Sequence, residues 1–398
     1  MSADQLPPGW RKVKFDDVVR QVKDKVDPET AGIERYVAGE HMDTDDLRIR
    51  RWGEVGDGYL GPAFTMRFKP GQVLYGSRRT YLRKVALADF EGICANTTFV
   101  VESASDDLLP EFLPYVMTTE AFHEHSIKQS KGSVNPYINF SDLKWYEFAL
   151  PPLDEQKRII DLLAACDEQT ERLRTAKAAQ DRLLRALMHQ MREWLKAAPT
   201  MSLGSAVDLQ PGRQRSPKYG GGVRARPYLR AANLKLDYID LSDVLSMDFS
   251  AEEESKYAVR AGDVLLVEGG DPDKVGAPAF VGSDIPTPMC IQNTVIRARA
   301  TDRGVLHPRY LYWILRSSFV AGDFERIATG TKLYHLGLRK LAPYPVPVPT
   351  DDEQAAFVMQ LDGIHGLGLT IERSLESAGR LSSSVREEVL RGATDVLH

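Results

Sequence analysis

A chain of 398 residues, 43% apolar and 27% charged, has ordinary globular composition and enough length for two or three domains with their own cores. No apolar run reaches the roughly 18 residues of a membrane span. The start, MSADQLPPGW, lacks a charged-then-apolar export signal, and Cys94, Cys166 and Cys290 are scattered without metal or disulfide spacing, so a reducing cytoplasm is expected. A net charge of −5 excludes a general polyanion binder but leaves room for a specific one with local basic patches.

In chain order, LPPGWRKVKFDDVVRQV opens a small mixed α/β unit through Trp10, Val13, Phe15, Val18 and Val19. Residues 36–42 form a short strand candidate. A basic, glycine-rich section follows, in which Gly53, Gly56, Gly58 and Gly61 read as turn residues rather than a cofactor cradle. Pro70-Gly71 marks a turn. Residues 73–75 and 85–87 read as strands around the loop GSRRTYLRK. GICANTTFVVE reads as one further strand, residues 110–122 as a helix, and residues 131–143 as a polar loop. His123 and His125 are assigned to a solvated helix face, because no second metal-type pair supports them.

Residues 151–195 then read as one long helix. Pro151 and Pro152 stop the preceding segment, Asp154 caps the first turn, and Glu155 suits the positive helix end. An imperfect heptad seam runs from Ile159 to Trp194. The same pattern returns 198 residues later: Pro151, Glu155, Gln156 and Leu163 become Pro349, Glu353, Gln354 and Leu361, and the seam runs from Phe357 to Gly392. Two seams in one chain can satisfy each other, which predicts an intramolecular antiparallel coiled coil. Gly363, Gly366 and Gly368 each cost roughly 1 kcal/mol against Ala, so the second helix is expected to start late or bend there.

The segment between the helices repeats the plan of the first. Leu203-Gly204 matches Phe15-Asp16, Tyr228-Leu229-Arg230 matches Tyr36-Val37-Ala38, and Asn233 stands opposite His41. Residues 262–266 match 71–75, Asn293-Thr294 matches Asn96-Thr97, 308–311 match 110–113, and Gly330-Thr331-Lys332 matches Gly132-Ser133-Val134. The offset drifts from 188 to 198, so insertions fall in loops. The architecture is therefore α+β: two pseudo-repeated globular domains, 1–150 and 199–348, separated by two long antiparallel helices, 151–198 and 349–398.

No phosphate loop, dinucleotide fingerprint, zinc-protease motif or amino-methyltransferase motif is present. Nucleic-acid contact has more support. Arg78, Arg79, Tyr81, Arg83 and Lys84 lie within seven residues, a mixture suited to phosphate clamping and base-edge contact. Ser133, Asn135 and Tyr137 add hydrogen-bonding groups on a rigid turn. Thr331, Lys332, Tyr334 and His335 repeat that turn in the second domain, joined by Arg230, Asn233 and Lys274. Arg213, Arg215, Lys218, Arg224 and Arg226 extend the basic segment there.

On LPPLDEQKRI, its echo VPTDDEQAAF, LPPGW, GSVNPYINFSDL, VLYGSRRTYLRKVA and ICANTTF, the chain resembles the specificity subunit of type I restriction–modification enzymes over essentially its whole length. The resemblance implies a non-catalytic subunit with two target-recognition domains, each reading one half of a split double-stranded DNA site. It implies helices that set the spacing and recruit two methyltransferase subunits carrying S-adenosylmethionine, with a translocating restriction subunit as a further partner. Glu155, Gln156, Glu353 and Gln354 are the expected partner contacts. A protein-binding adaptor built on duplicated domains is the alternative reading.

Overall fold

The computed structural model describes residues 6–214, 224–301 and 304–394, with side chains to 388. Two compact units emerge: Met1–Arg174 with Arg373–His398, and Thr175–Glu372. Each long helix therefore contributes to both units. Arg215 and Lys218 lie outside the described residues.

Unit 1 carries two four-stranded sheets. In one, Val19–Val22, Thr98–Ser103, Val73–Gly76 and Val85–Leu87 lie side by side; in the other, Gly53–Glu54, Arg35–Val37, Gly92–Ala95 and Phe64–Phe68. Val73, Leu74 and Tyr75 form an unbroken apolar run because the strand is covered on both faces. Val73 and Tyr75 enter one core with Phe15, Val101 and Phe122, while Leu74 enters a second with Val37, Phe68 and Val100. GICANTTFVVE is two strands in different sheets, not one. The chain turns at Asn96-Thr97, where Ala63 O accepts from Asn96 N (2.9 Å) and Thr97 O accepts from Ser77 N (3.0 Å). The expected helix over 110–122 is also divided, into Leu113–Val116 and Glu120–Gln129. Thr119 stands extended between them and its hydroxyl accepts from Phe122 N at 3.2 Å, a cap that ends one helix by starting another. The strand expected over 36–42 stops at Val37, because His41 Nδ1 accepts from Ala38 N (3.1 Å) and folds the chain back.

Unit 2 rebuilds this plan. Val207–Pro211, Val295–Ala300, Val264–Val267 and Pro278–Phe280 form one sheet, and Leu245–Asp248, Ala225–Leu229 and Cys290–Ile291 the other. The parallel pairing of Tyr36 with Ile93 and Val37 with Cys94 returns as Tyr228 with Cys290 and Leu229 with Ile291. Asn233 takes the place of His41, its side chain accepting from Arg230 N at 3.1 Å. The equivalence extends to single hydrogen bonds. Gln156 accepts from Leu109 N (2.9 Å) and donates to Asp107 O (2.7 Å) and Pro151 O (2.9 Å). Gln354 accepts from His307 N (2.8 Å) and donates to Val305 O (3.0 Å) and Pro349 O (3.1 Å), every partner displaced by 198. One difference is that Pro308–Val320 is an unbroken helix where unit 1 has two short ones.

The long helices are Leu153–Leu195 and Asp351–Thr394, both continuous. Asp154 lies inside the first turn rather than capping it; in the second copy Thr350 closes the end, its N–H and hydroxyl both donating to Glu353 at 2.8 Å. In unit 2 they run antiparallel. Trp194 meets Phe357 edge-to-face with ring centres 5.3 Å apart, Gln180 Nε2 donates to Ile364 O at 3.0 Å, and Lys177 pairs with Glu372 at 2.9 Å. Gly368 does not delay or interrupt the second helix; it makes room for Gln180, whose amide oxygen a Cβ there would approach to 2.5 Å. Leu184, Met188, Met191 and Leu195 are the buried stripe, so the expected Leu187 and Trp194 are displaced by one residue. A 3.6-residue turn drifts against a strict heptad, which accounts for the shift. In unit 1, Ile159, Leu163 and Val385 join the core of the domain.

Candidate nucleic-acid interface

The strand Val73–Gly76 leaves the unit 1 sheet at a rim built from two chain segments. Ser77 O accepts from Ile138 N at 2.9 Å, Arg79 N donates to Pro136 O at 2.6 Å, and Arg78 bridges to Tyr137 as a strand partner. Thr80 and Ser130 share a hydroxyl hydrogen bond of 2.7 Å. The basic loop and the Gly132–Tyr137 turn, 50 residues apart in sequence, are thus one surface. Gly132 has φ +90°, which lets the turn close so that Lys131 and Tyr137 exchange backbone hydrogen bonds of 2.8 and 2.9 Å. Ser133, Val134 and Asn135 are exposed at its tip.

The five basic-loop candidates do not share one role. Arg78, Arg79 and Tyr81 are exposed, and the Arg78 guanidinium lies 5.8 Å from the Tyr137 ring centre. Arg83 is half-buried and held by Glu120 at 2.5 Å, and Lys84 donates to the Gly39 carbonyl. Arg79 and Arg83 both adopt left-handed backbone, φ +51° and +50°, and bracket the turn that presents Tyr81.

Unit 2 forms the matching rim. Gly269 pairs with His335 and Gly270 with Tyr334, the register in which Arg78 meets Tyr137. Thr329 and His335 close the second turn through backbone hydrogen bonds of 3.0 and 2.8 Å, as Lys131 and Tyr137 close the first. Thr331, Lys332 and His335 are exposed and Tyr334 is half-buried. Yet the residues at the Ser77-Arg78-Arg79 positions are Glu268-Gly269-Gly270. Lys274 is paired with Asp271 at 2.6 Å. Glu268, which a search for positive charge passes over, is half-buried with a carboxyl raised above its usual range by burial. Its signal in the sequence was the match of residues 262–266 to 71–75, continued two residues further.

Several expected contacts are internal. Asn233 is buried, and its amide donates to Asp240 O (2.9 Å) and Asp243 O (3.1 Å), so it holds a turn rather than facing a ligand. Arg230 pairs with Asp243, Arg226 and Arg224 with Glu254, and Arg213 with Glu253. The described part of that basic segment is therefore largely neutralised by its own carboxylates. Gln156 and Gln354, 0% and 1% exposed, are spent on the hydrogen bonds above and offer a partner nothing. Glu155 pairs with Arg158 at 2.7 Å, and Glu353 is the cap of its helix.

His123 and His125 do not lie on a solvated face. His123 is 1% exposed with neither ring nitrogen hydrogen-bonded, and burial, then Arg83 and Arg386, push its pKa down to about 4. His125 Nε2 meets Asp142 O at 2.9 Å. Unit 1 also holds a cavity of about 470 Å³, lined by charges that mostly satisfy one another. Arg50 there bridges Asp46 (2.7 Å) and Glu171 (2.5 Å), holding the Glu171 carboxyl down to about 2. Among the described residues, no His, Cys, Asp and Glu side chains group as metal ligands do. No described helix is long and apolar enough to cross a membrane.

Comparison with known proteins gives a consistent result. Residues 7–180 match the family model of the type I restriction modification DNA specificity domain. The chain is 27% identical over 197 residues to the type I restriction enzyme EcoDI specificity subunit of Escherichia coli, covering 46% of this chain and 41% of that protein, less than half its length. It is 20% identical over 444 aligned positions to the MjaVIII specificity subunit of Methanocaldococcus jannaschii, covering 98% and 93%. Its fold is shared with two solved structures at TM-score 0.60. One comes from work on complex assembly and conformational transition of the type I restriction–modification system (20% identity, 98% of this chain, 99% of that one). The other is the S subunit of such a system from M. genitalium (14% identity, 97% of each).

Proposed function

The chain belongs to the family of type I restriction–modification specificity subunits, and from that premise we propose that it reads a two-part DNA site, one half with each unit, and catalyses nothing itself. The observation that carries this reading is the rim built twice: the same backbone pairings support Ser77-Arg78-Arg79 in one unit and Glu268-Gly269-Gly270 in the other. A scaffold held constant beneath unlike tips suits two surfaces that read unlike sequences. In unit 1, the exposure of Arg78 and Arg79 on the rim, with Tyr81, Tyr137, Ser133 and Asn135, supports donation to guanine O6 and N7 or to phosphate. In unit 2, Thr331, Lys332, Tyr334 and His335 occupy the equivalent turn.

Two methyltransferase subunits that bring S-adenosylmethionine, and a restriction subunit where one exists, are the proposed partners. Exposed apolar residues along the long helices, Leu162 and Leu183 on the first and Met359 and Leu367 on the second, support docking there. Glu155 and Glu353 remain as polar contacts at the helix starts. The test is DNA binding by the full chain copurified with its methyltransferase, across a salt series. Affinity for one sequence class that falls steeply with salt is expected. Salt-independent or sequence-blind binding would refute the reading.

A further inference from the structure

Glu268 is fixed at the backbone by two hydrogen bonds, while its carboxylate makes none among the described residues. Its N–H donates to Thr294 O at 2.9 Å and its carbonyl accepts from Leu336 N at 2.7 Å. Ser77 makes the same two bonds in unit 1, to Thr97 and from Ile138. Glu268 therefore stands one residue before the rim pair Gly269–His335, as Ser77 stands one residue before Arg78–Tyr137. The side chains there behave differently. Ser77 turns its hydroxyl inward to Thr97 O at 2.7 Å. The Glu268 carboxylate, although half-buried, makes no hydrogen bond or close ion pair among the described residues; the nearby His335 acts on it only through its charge, against the larger effect of burial. Gly269 and Gly270 follow it and add no side chains of their own at the rim, where the His335 ring lies over Gly269.

We propose that Glu268 selects a base with an exocyclic amino group, cytosine or adenine, in the major groove of the half-site read by unit 2; this rests on the DNA-reading role above. An ionised carboxylate only accepts hydrogen bonds. In the major groove, cytosine N4 and adenine N6 donate, whereas guanine O6 and N7 and thymine O4 accept. A carboxylate at this place gains a partner from the first pair of bases and repels the second pair. The sense of selection is opposite to that of Arg78 and Arg79, whose guanidiniums only donate.

The experiment uses the full chain with its methyltransferase. Recognition sequences are read by methylome sequencing for the parent, Glu268→Ala, Glu268→Gln and, in parallel, Arg79→Ala. One position of the unit 2 half-site, cytosine or adenine in the parent, should accept any base with Glu268→Ala. With Glu268→Gln, whose amide also donates, that position should come to tolerate guanine or thymine. The other half-site should not change. Binding to duplexes carrying 2-pyrimidinone for cytosine, or purine for adenine, separates the two bases. Whichever analogue lacks the recognised amine should bind the parent roughly 10- to 100-fold more weakly and leave Glu268→Ala indifferent. A relaxed guanine or thymine, or full specification kept by both Glu268 variants while Arg79→Ala relaxes its own half-site, overturns the Glu268 proposal alone. Full specification kept by all three variants overturns the DNA-reading role of the rims as well.

Discussion

Unit 1 and unit 2 agree where the chain is buried and part company where it is exposed. Gln156 and Gln354 tie equivalent helix starts to equivalent loops, and His41 and Asn233 fold back equivalent turns with different chemistry. At the rim the agreement is confined to the backbone. Arg78 and Gly269 hold the same pairing position, one carrying a charge and the other no side chain at all. Backbone hydrogen bonds do not depend on the side chain, so a rim held by them can exchange its tips without disturbing the core. The comparison makes predictions of decreasing size.

The largest effect belongs to the shared clamps. Gln156→Leu leaves three backbone groups unpaired, one buried and two part-buried, and so does Gln354→Leu. Each should cost about 3–5 kcal/mol in urea unfolding, at 1–3 kcal/mol for the buried group and about 1 kcal/mol for each part-buried one. A loss in one variant with none in the other would break the equivalence of the units.

Next is the response to acid: among the described residues, each unit buries one histidine. Each stands near a carboxylate, His123 3.8 Å from Asp45 and His365 3.7 Å from Asp237; burial lowers both, His123 to about 4 with Arg83 and Arg386 adding to the effect, while Asp237 partly offsets it for His365. For His123 the unfolded chain holds a proton that the folded one lacks between pH 6.5 and 4. Stability is therefore full above that window and falls as pH drops through it, by roughly 3 kcal/mol in all. His123→Leu should flatten the slope more than His365→Leu does. Equal slopes in both variants and the parent would remove these histidines from the account.

Smaller effects distinguish the rim residues. Arg79→Ala should weaken cognate DNA binding by about 1–3 kcal/mol if the guanidinium meets a base, without changing thermal stability. Arg83→Ala should cost less, because Glu120 already holds that side chain. The reverse order in a binding titration would place the reading surface on the other side of the Tyr81 turn. Four residues inserted between Thr175 and Ala179 should leave both half-site sequences intact and change only the number of unspecified base pairs between them; a changed half-site base would contradict this.

Much of this was legible in the sequence for identifiable reasons. The repeat of proline, Glu-Gln and apolar residues at a constant offset exposes the duplication, and heptad spacing exposes both helices. The convergence of GSRRTYLRK with GSVNPY was visible as two candidates, though not as one surface. The departures share a cause: in a sequence, a polar residue reads as surface. Gln156, Gln354 and Asn233 are buried, because backbone groups at loop ends need partners that apolar side chains cannot supply, and His123 is buried with neither ring nitrogen hydrogen-bonded. Arg230 was read for its charge alone, although Asp243 lies 13 residues away to pair with it. The broken helix at Thr119 and the turn at Asn96 are local tertiary effects that residue preference does not encode.

The most direct measurement of the central claim is the methylome of cells carrying the chain and its methyltransferase, parent against Arg79→Ala. The account predicts a parent site of two specified parts separated by unspecified bases, with the variant altered in one part only. A contiguous parent site, or a variant altered in both parts, would contradict it.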